Sequence, residues 1–278
     1  MNQLESIEAI EDPMQRARKV HTVIEDLQGQ VLKLSAIRRE ALNELVAQGL
    51  SITKIAEEIG ISRSRVSQLR SAGLRPERVF FGSGRVTVAI GTKPERGRSD
   101  GHEQPLISRE ASQAYELIAD TMRSLGLEAV QEAVPLSGLF DLNRENLVVL
   151  CSVKLMPFLS QVMVADSNLS FDTDDSGLFL VDRNTETEYR SPRDNGELRD
   201  FGYVGRLPSP GGKGTFLYAA GIHAEGTLGA AQWLTENAAD LHKKLKLQRF
   251  STLVESTFDE SGKILSTQQL TALYREGK

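Results

Sequence analysis

Residues 51–70, SITKIAEEIGISRSRVSQLR, carry the most constrained pattern in the chain and decide the fold of its N-terminal part. Gly60 supplies the positive φ that a tight turn between two helices needs. Ala56 is small enough for those helices to cross closely, Ser62 is a typical N-cap, and Val66 anchors the second helix. The pattern predicts a compact helical pair, whose core is completed by Ile55, Ile59, Ile61 and Leu69.

This stretch resembles a helix-turn-helix of the sigma-factor and resolvase type. The resemblance implies that the second helix enters the major groove of double-stranded DNA. On its outer side the helix carries arginines suited to guanine, a glutamine suited to adenine, and serine donors for phosphates or bases. The predicted DNA-binding residues are Ser62, Arg63, Ser64, Arg65, Ser67, Gln68 and Arg70. The alternative is a helical hairpin used for protein contacts, with the arginines on a solvated face.

Charge is distributed unevenly along the chain of 278 residues. The formal net charge of −5 excludes a polybasic chromatin or ribosomal protein, yet residues 62–100 contain nine basic and three acidic side chains. This local excess attracts phosphate independently of base sequence. The single cysteine, Cys151, excludes an intrachain disulfide and a cysteine-based zinc site. With an acidic N-terminal segment and no apolar run near about 20 residues, we expect a cytoplasmic protein without a membrane span.

A long helix is predicted from Asp12 to about Gln48. Asp12 is its N-cap, Pro13 occupies the first helical position, and Gly49 ends it. Gly29 lies inside this helix, and the helix could bend there. A 4-3-4-3 spacing forms an apolar stripe of about two heptads, Val20, Ile24, Leu27, Val31 and Leu34. The stripe is either a dimer seam or a surface that packs on the following domain; we favour a homodimer, because one helix-turn-helix binds DNA weakly.

The chain is long enough for about two domains, and we place their boundary between Gly73 and Pro76. Residues 1–75 are expected to form an all-helical domain. Residues 76–278 alternate helix and strand signals, which predicts an α/β, Rossmann-like layered domain with its sites at the carboxyl ends of strands.

Several elements of the second domain can be placed. Ser108 is expected to cap a helix that Gly126 terminates, and the apolar run 146–152 is typical of a buried parallel strand. A hairpin is predicted from 79–81 to 85–90, and a mobile loop at 96–105. Further strands are predicted at 169–172, 177–182, 200–207, 215–222 and 249–257, and further helices at 157–164 and 227–245.

Two strand-to-helix junctions are candidate ligand sites. At 151–158 a strand ends in a polar turn ahead of a helix, a setting that attracts phosphate or carboxylate. At 220–231 glycines surround a turn, where backbone amides can approach an anion. The predicted ligand-binding residues are Ser152, Lys154, Gly221, His223, Glu225, Gly226 and Thr227. For His223 and Glu225, loop fixing and acid–base catalysis remain open alternatives.

Together these features predict a transcription regulator that binds DNA as a homodimer and senses a small anionic or nucleotide-like ligand. Neither junction has the P-loop lysine or the G-x-G-x-x-G spacing, so no cofactor is assigned, and no ligand spacing suggests a metal. Two alternatives stay open: a nucleotide- or nucleoside-processing enzyme with an appended DNA-binding domain, and an adaptor whose α/β domain docks a protein partner. No catalytic residue is assigned.

Overall fold

A computed structural model describes residues 3–71, 77–95, 104–212 and 214–275. The chain divides into two compact units, Met1–Arg75 and Pro76–Lys278. It combines helices with a mixed sheet that contains parallel strands, which confirms the predicted α/β character. Residues 96–103 of the predicted mobile loop lie outside the described residues.

The described part of the first unit contains α1 (Gln3–Glu8), α2 (Pro13–Ala47), α3 (Ile52–Ile59) and α4 (Arg63–Ser71). α2 begins where its sequence predicts, because the Asp12 carboxylate accepts a hydrogen bond from Met14 N at 2.8 Å. The helix continues without interruption through Gly29. At its end Gly49 has φ +90° and donates its N–H to Val46 O at 3.0 Å, so the chain leaves the helix in a left-handed turn.

The second unit contains more elements, and a mixed sheet joins most of its strands. In chain order its described elements are α5 (Arg78–Phe81), β1 (Arg85–Ile90), β2 (Lys93–Pro94), β3 (Pro105–Leu106), α6 (Arg109–Ser124), β4 (Glu128–Ala133), β5 (Asn146–Leu150), α7 (Leu159–Met163), β6 (Leu169–Asp174), β7 (Gly177–Asp182), β8 (Thr187–Tyr189), a 3-10 turn (Pro192–Asn195), β9 (Arg199–Leu207), β10 (Thr215–Gly221), α8 (Ala224–Leu245), β11 (Phe250–Phe258), β12 (Ile264–Gln269) and β13 (Tyr274–Arg275).

The main sheet has the strand order β12-β11-β9-β10-β5-β1-β4, and β13 pairs with β11. Strands β10, β5, β1 and β4 are parallel, as the apolar run in β5 predicts. Strands β9, β11 and β12 are antiparallel to their neighbours. The short segment 208–214 joins β9 to β10, and a parallel crossover needs a dozen or more residues. The sheet is therefore parallel only in one half, which corrects the Rossmann-like expectation.

The two faces of this sheet are covered by different kinds of structure. On one face, Ile118 of α6 and Leu234 of α8 belong to a core that includes Val88 of β1. On the other face, Leu159 of α7 and Leu180 of β7 share a core with strand β5. A three-stranded antiparallel sheet, β6-β7-β8, thus takes the place of the second helical layer that a Rossmann-like domain has.

The predicted hairpin from 79–81 to 85–90 is wrong. Residues 78–81 form α5, and β1 pairs in parallel with β4 and β5. The reason is burial: Phe80 and Phe81 are both fully buried. Adjacent strand residues point to opposite faces, so an edge hairpin would leave one phenylalanine in water, whereas α5 buries both in one core.

Glycines let α8 pack closely against the sheet. A side chain added at this contact should therefore destabilise the protein. A Cβ at Gly202 of β9 would lie 2.6 Å from Gly226 O and 2.9 Å from Ala230 Cβ. We expect Gly202→Ala to lower the free energy of unfolding by about 1–3 kcal/mol, since the added methyl overpacks this contact. Urea unfolding followed by circular dichroism measures the change.

The matched control is Gln131→Ala, which changes an exposed side chain on the edge strand β4. Its effect should stay within about 0.5 kcal/mol. Equal stability of the two variants would contradict the close packing of α8 on β9.

Candidate functional sites

The first candidate site is α3, the tight turn after it and α4. Gly60 ends α3 with φ +75°, and its N–H donates to Ala56 O at 3.0 Å. Any residue with a Cβ is disfavoured at this φ, so the turn needs the glycine. Ser62 precedes α4, and its Oγ accepts a hydrogen bond from Arg65 N at 3.1 Å. The two helices are therefore joined by three residues. A hydrogen bond from a backbone N–H fixes the turn on each side, from Gly60 at the end of α3 and from Arg65 at the start of α4.

A small core holds α4 against α2 and α3. Val66 is completely buried at its centre. The other buried members are Leu42, Ile55 and Ala56, and the partly buried residues packed on them include Ile61 and Leu69. Ile59, which the sequence assigns to this core, is 47% exposed, because it is the last residue of α3 and lies beyond the helix crossing at Ala56.

Five of the seven predicted DNA-binding residues are exposed in α4 or immediately before it. Those exposed to solvent are Ser62, Arg63, Ser64, Arg65 and Ser67. Arg70 differs, because it is half-buried and its Nε donates to Asn43 Oδ1 of α2 at 3.0 Å. The side chain of Gln68 lies outside the described part of the chain. The burial of Val66 and the hydrogen bond made by Arg70 determine which side of α4 faces the solvent.

The second candidate site is a cavity of about 440 Å³ in the second unit. It lies at the carboxyl ends of the parallel strands β1, β5 and β10, where the chain continues into Gly91, Ser152 and Ile222. Its volume lies in the usual range for small-molecule sites. Five of the predicted ligand residues line it: Ser152, Lys154, His223, Glu225 and Thr227.

The two predicted glycines, Gly221 and Gly226, are not among the lining residues. A Cβ at Gly226 would collide with the Asp200 carboxylate, and one at Gly221 with the backbone at Gly226 and Thr227. Their role in the structure is close packing, since they let the first turn of α8 meet β9 and β10.

Asp200 of β9 fixes the start of α8. Its Oδ2 accepts hydrogen bonds from His223 N and Gly226 N, both at 2.9 Å. This remote cap lets α8 begin at Ala224, three residues earlier than the predicted Thr227. Burial raises the pKa of Asp200, and hydrogen bonds such as that from His223 N oppose this rise.

The carboxylate of Asp200 also changes the electrostatics of the second junction. The sequence predicts that the N-terminus of α8 attracts a ligand anion. In the structure Asp200 already places a carboxylate on two of the N–H groups there. Two of the N–H groups that a ligand anion would need at this helix end are therefore already hydrogen-bonded to Asp200.

Two contacts from the 3-10 turn hold polar side chains at the cavity. Arg193 Nη2 lies 2.9 Å from Glu225 Oε1, and His223 Nε2 lies 2.8 Å from Asp194 Oδ1. Glu225 is only 9% exposed. The sequence analysis missed Arg193, which lines the cavity, because no local pattern links it to Glu225. These contacts fix the loop and also orient His223 and Glu225.

Lys93 and Lys154 provide the uncompensated charge of the cavity. Both are exposed, and neither makes an ion pair within the described residues. The acidic lining residue Glu110 is paired with Arg109 at 3.0 Å. The helix predicted from 157 to 164 is present as α7, Leu159–Met163, which has only five residues. An anion at the first junction would therefore be attracted mainly by the charge of Lys154.

Comparisons with known proteins do not identify a relative. No family model, curated protein or solved structure matches the chain. Within the described ranges, no helix has both the length and the apolar composition required to span a bilayer.

Cys151 lines the cavity, and its environment gives a prediction about reactivity. It is 2% exposed, and burial raises the pKa of its thiol to about 12. At pH 8 roughly one molecule in ten thousand would carry the thiolate, which is the reactive form. We expect iodoacetamide to alkylate the native protein at least a hundredfold more slowly than the guanidinium-unfolded protein, measured by mass spectrometry. Equal rates in the two states would show that the thiol is accessible and activated.

Proposed function

We propose that the protein is a DNA-binding transcription regulator with an N-terminal helical domain of the helix-turn-helix type and a ligand-sensing α/β domain. It would act in the cytoplasm as a homodimer. The observation that carries the DNA-binding part is the outer side of α4, whose orientation depends on the buried Val66. The observation that carries the sensing part is the cavity at the strand ends, with its two lysines outside ion pairs in the described chain.

The chemistry of α4 suits a nucleic acid. Its nine residues, Arg63–Ser71, include three arginines and no acid. An α-helix with its side chains is about 10–12 Å across, so α4 fits a major groove about 12 Å wide. Arg63 and Arg65 lie on the exposed side and suit guanine edges or phosphates. Arg70, held by Asn43, is better placed for the phosphate backbone.

The DNA-binding proposal is tested with fragments enriched from a random pool by the full-length protein. Arg65→Ala should weaken binding to the enriched site by about 1–3 kcal/mol if Arg65 contacts a base. Fluorescence anisotropy titrations at several salt concentrations measure the affinity. A variant that loses a phosphate contact should instead reduce the slope of log K against log salt by about one.

The matched control for this titration is Lys244→Ala, which removes an exposed positive charge at the end of α8. It should leave the affinity unchanged. Failure to enrich any fragment, or the same affinity after Arg63→Glu and Arg65→Glu together, would reject DNA binding through α4. The hairpin with a merely solvated arginine face would then be the better interpretation.

The sensing proposal concerns an anion that enters the cavity of the second unit. Glu110 and Glu225 are each paired with an arginine, so the net electrostatic attraction comes from Lys93 and Lys154. Ser152 adds a hydroxyl beside them. The cavity volume and these donors suit a small phosphorylated metabolite or nucleotide. To regulate, this ligand must bind the DNA-competent and DNA-incompetent states with different affinities.

A thermal-shift panel of inorganic phosphate and nucleoside mono-, di- and triphosphates tests the sensing proposal. A ligand at a hundredfold its Kd should stabilise the native protein by about 2.7 kcal/mol. Lys154→Ala should reduce the affinity by about 1.5–3 kcal/mol, since a charge-assisted hydrogen bond is lost. Isothermal titration calorimetry measures this difference.

The control for ligand binding is Lys243→Ala, an exposed lysine of α8 outside the cavity lining. A panel without any stabilising compound, or equal loss in both lysine variants, would reject an anion site in the cavity. The His223–Asp194 contact favours one further candidate, a nucleotide-processing enzyme. Turnover of a nucleotide by the native protein, abolished in His223→Ala, would establish that alternative.

A further inference from the structure

Helix α2 exposes a continuous apolar stripe over its first two thirds. Val20, Ile24, Leu27, Val31 and Leu34 are between 37% and 64% exposed. α2 has 35 residues and extends about 52 Å, while the core of the first unit uses Leu42, Leu45 and Val46 near its end. The described residues of the first unit therefore do not bury this stripe.

The spacing of the stripe assigns each member to a heptad position. Intervals of four, three, four and three residues place Val20, Leu27 and Leu34 at d, and Ile24 and Val31 at a. β-Branched residues at a combined with leucine at d favour two-stranded parallel coiled coils. Four of the five residues thus match the composition of a two-stranded parallel coiled coil, and Val20, a β-branched residue at d, is the exception.

The flanking positions indicate which partner fits. In a parallel coiled coil the e and g positions face each other across the seam, and charges there select a partner of opposite sign. The e and g positions with described side chains between Val20 and Leu34 are His21, Val23 and Gln30, without lysine, arginine, aspartate or glutamate. Two identical helices therefore meet no like-charge pair at these positions.

The stripe also has defined limits. Charged residues lie at the outer b and c positions, for example Arg18, Lys19 and Asp26. Arg38 occupies the next a position after Val31, where two copies would bring like charges together in the seam. The seam should therefore end after Leu34, before the part of α2 that packs on α3 and α4.

We infer that residues 20–34 of α2 form a parallel, in-register, two-stranded coiled coil with a second copy of this chain. The inference rests on the homodimer of the proposed function and does not require DNA binding. α3 follows α2 after a short turn at Gly49, so parallel pairing brings both copies of α3 and α4 to the same end of the seam. Two half-sites could then be contacted together.

Disulfide cross-linking of the full-length protein tests both pairing and direction. Cys151→Ser removes the single native thiol, and Val20→Cys or Leu34→Cys then places one thiol at either end of the seam. In a parallel dimer each variant should cross-link to itself on mild oxidation. In an antiparallel dimer Val20 lies opposite Leu34, so the main product would be a mixed dimer of the two variants, one of which carries a size tag.

A second measurement tests the stripe without cysteines. The native chain should have twice the monomer mass of 30.6 kDa by light scattering, and Ile24→Lys with Leu27→Lys should return it to one monomer mass. The matched control is Thr22→Lys, an exposed f position on the opposite side of α2, which should stay dimeric. Circular dichroism checks that both variants keep their helix content.

The outcomes separate this inference from the DNA-binding proposal. Self-linked Val20→Cys and Leu34→Cys dimers, with loss of dimer in Ile24→Lys with Leu27→Lys only, support the parallel seam. A monomeric native chain, preferential mixed cross-linking, or a dimer that survives the two lysines overturns it. Because no DNA is present in these measurements, Arg65→Ala leaves their outcome unchanged and failure of DNA binding does not affect them.

Discussion

The second unit depends on one buried carboxylate, that of Asp200. Its Oδ2 joins β9 to the first turn of α8 through His223 N and Gly226 N. These two N–H donors partly offset the cost of burying the carboxyl group, and they are in place only if the helix starts there. Close approach in turn needs glycine at 202 and 226. The contacts that pack α8 on β9 therefore also determine the geometry of the site, because the start of α8 places His223 and Glu225 at the cavity.

Features set by neighbours in sequence were predictable. The cap at Asp12 needs only the chain next to it. Ser108 likewise accepts from Ala111 N at 3.2 Å, and Gly126 ends the same helix with φ +71°. The strand at 146–150 was predictable for a different reason, because the five apolar residues at 147–151 have few other places to be buried in a protein of this size.

Features that depend on distant residues were not predictable. Phe80 and Phe81 look like strand residues until the core that buries both is known. Strand β4 carries the polar sequence EAVQEA and gives no strand signal, since it is a half-exposed edge strand. Arg193 meets Glu225 across 32 residues of sequence, and only the fold brings them together. Lys93 and Arg193 were thus found from the structure, whereas five other lining residues were found from the sequence: Ser152, Lys154, His223, Glu225 and Thr227.

The carboxyl group of Asp200, which fixes the start of α8, has a consequence for how the cavity would hold an anion. Because Asp200 accepts hydrogen bonds from N–H groups at the helix end, the attraction for a ligand anion would come mainly from Lys93 and Lys154, and both residues are exposed. Mobile ions shield exposed charges over about 8 Å at physiological ionic strength, whereas buried helix ends are shielded far less. Occupancy of this cavity would therefore follow the ionic strength of its surroundings, and the same amount of metabolite would fill it less when salt rises.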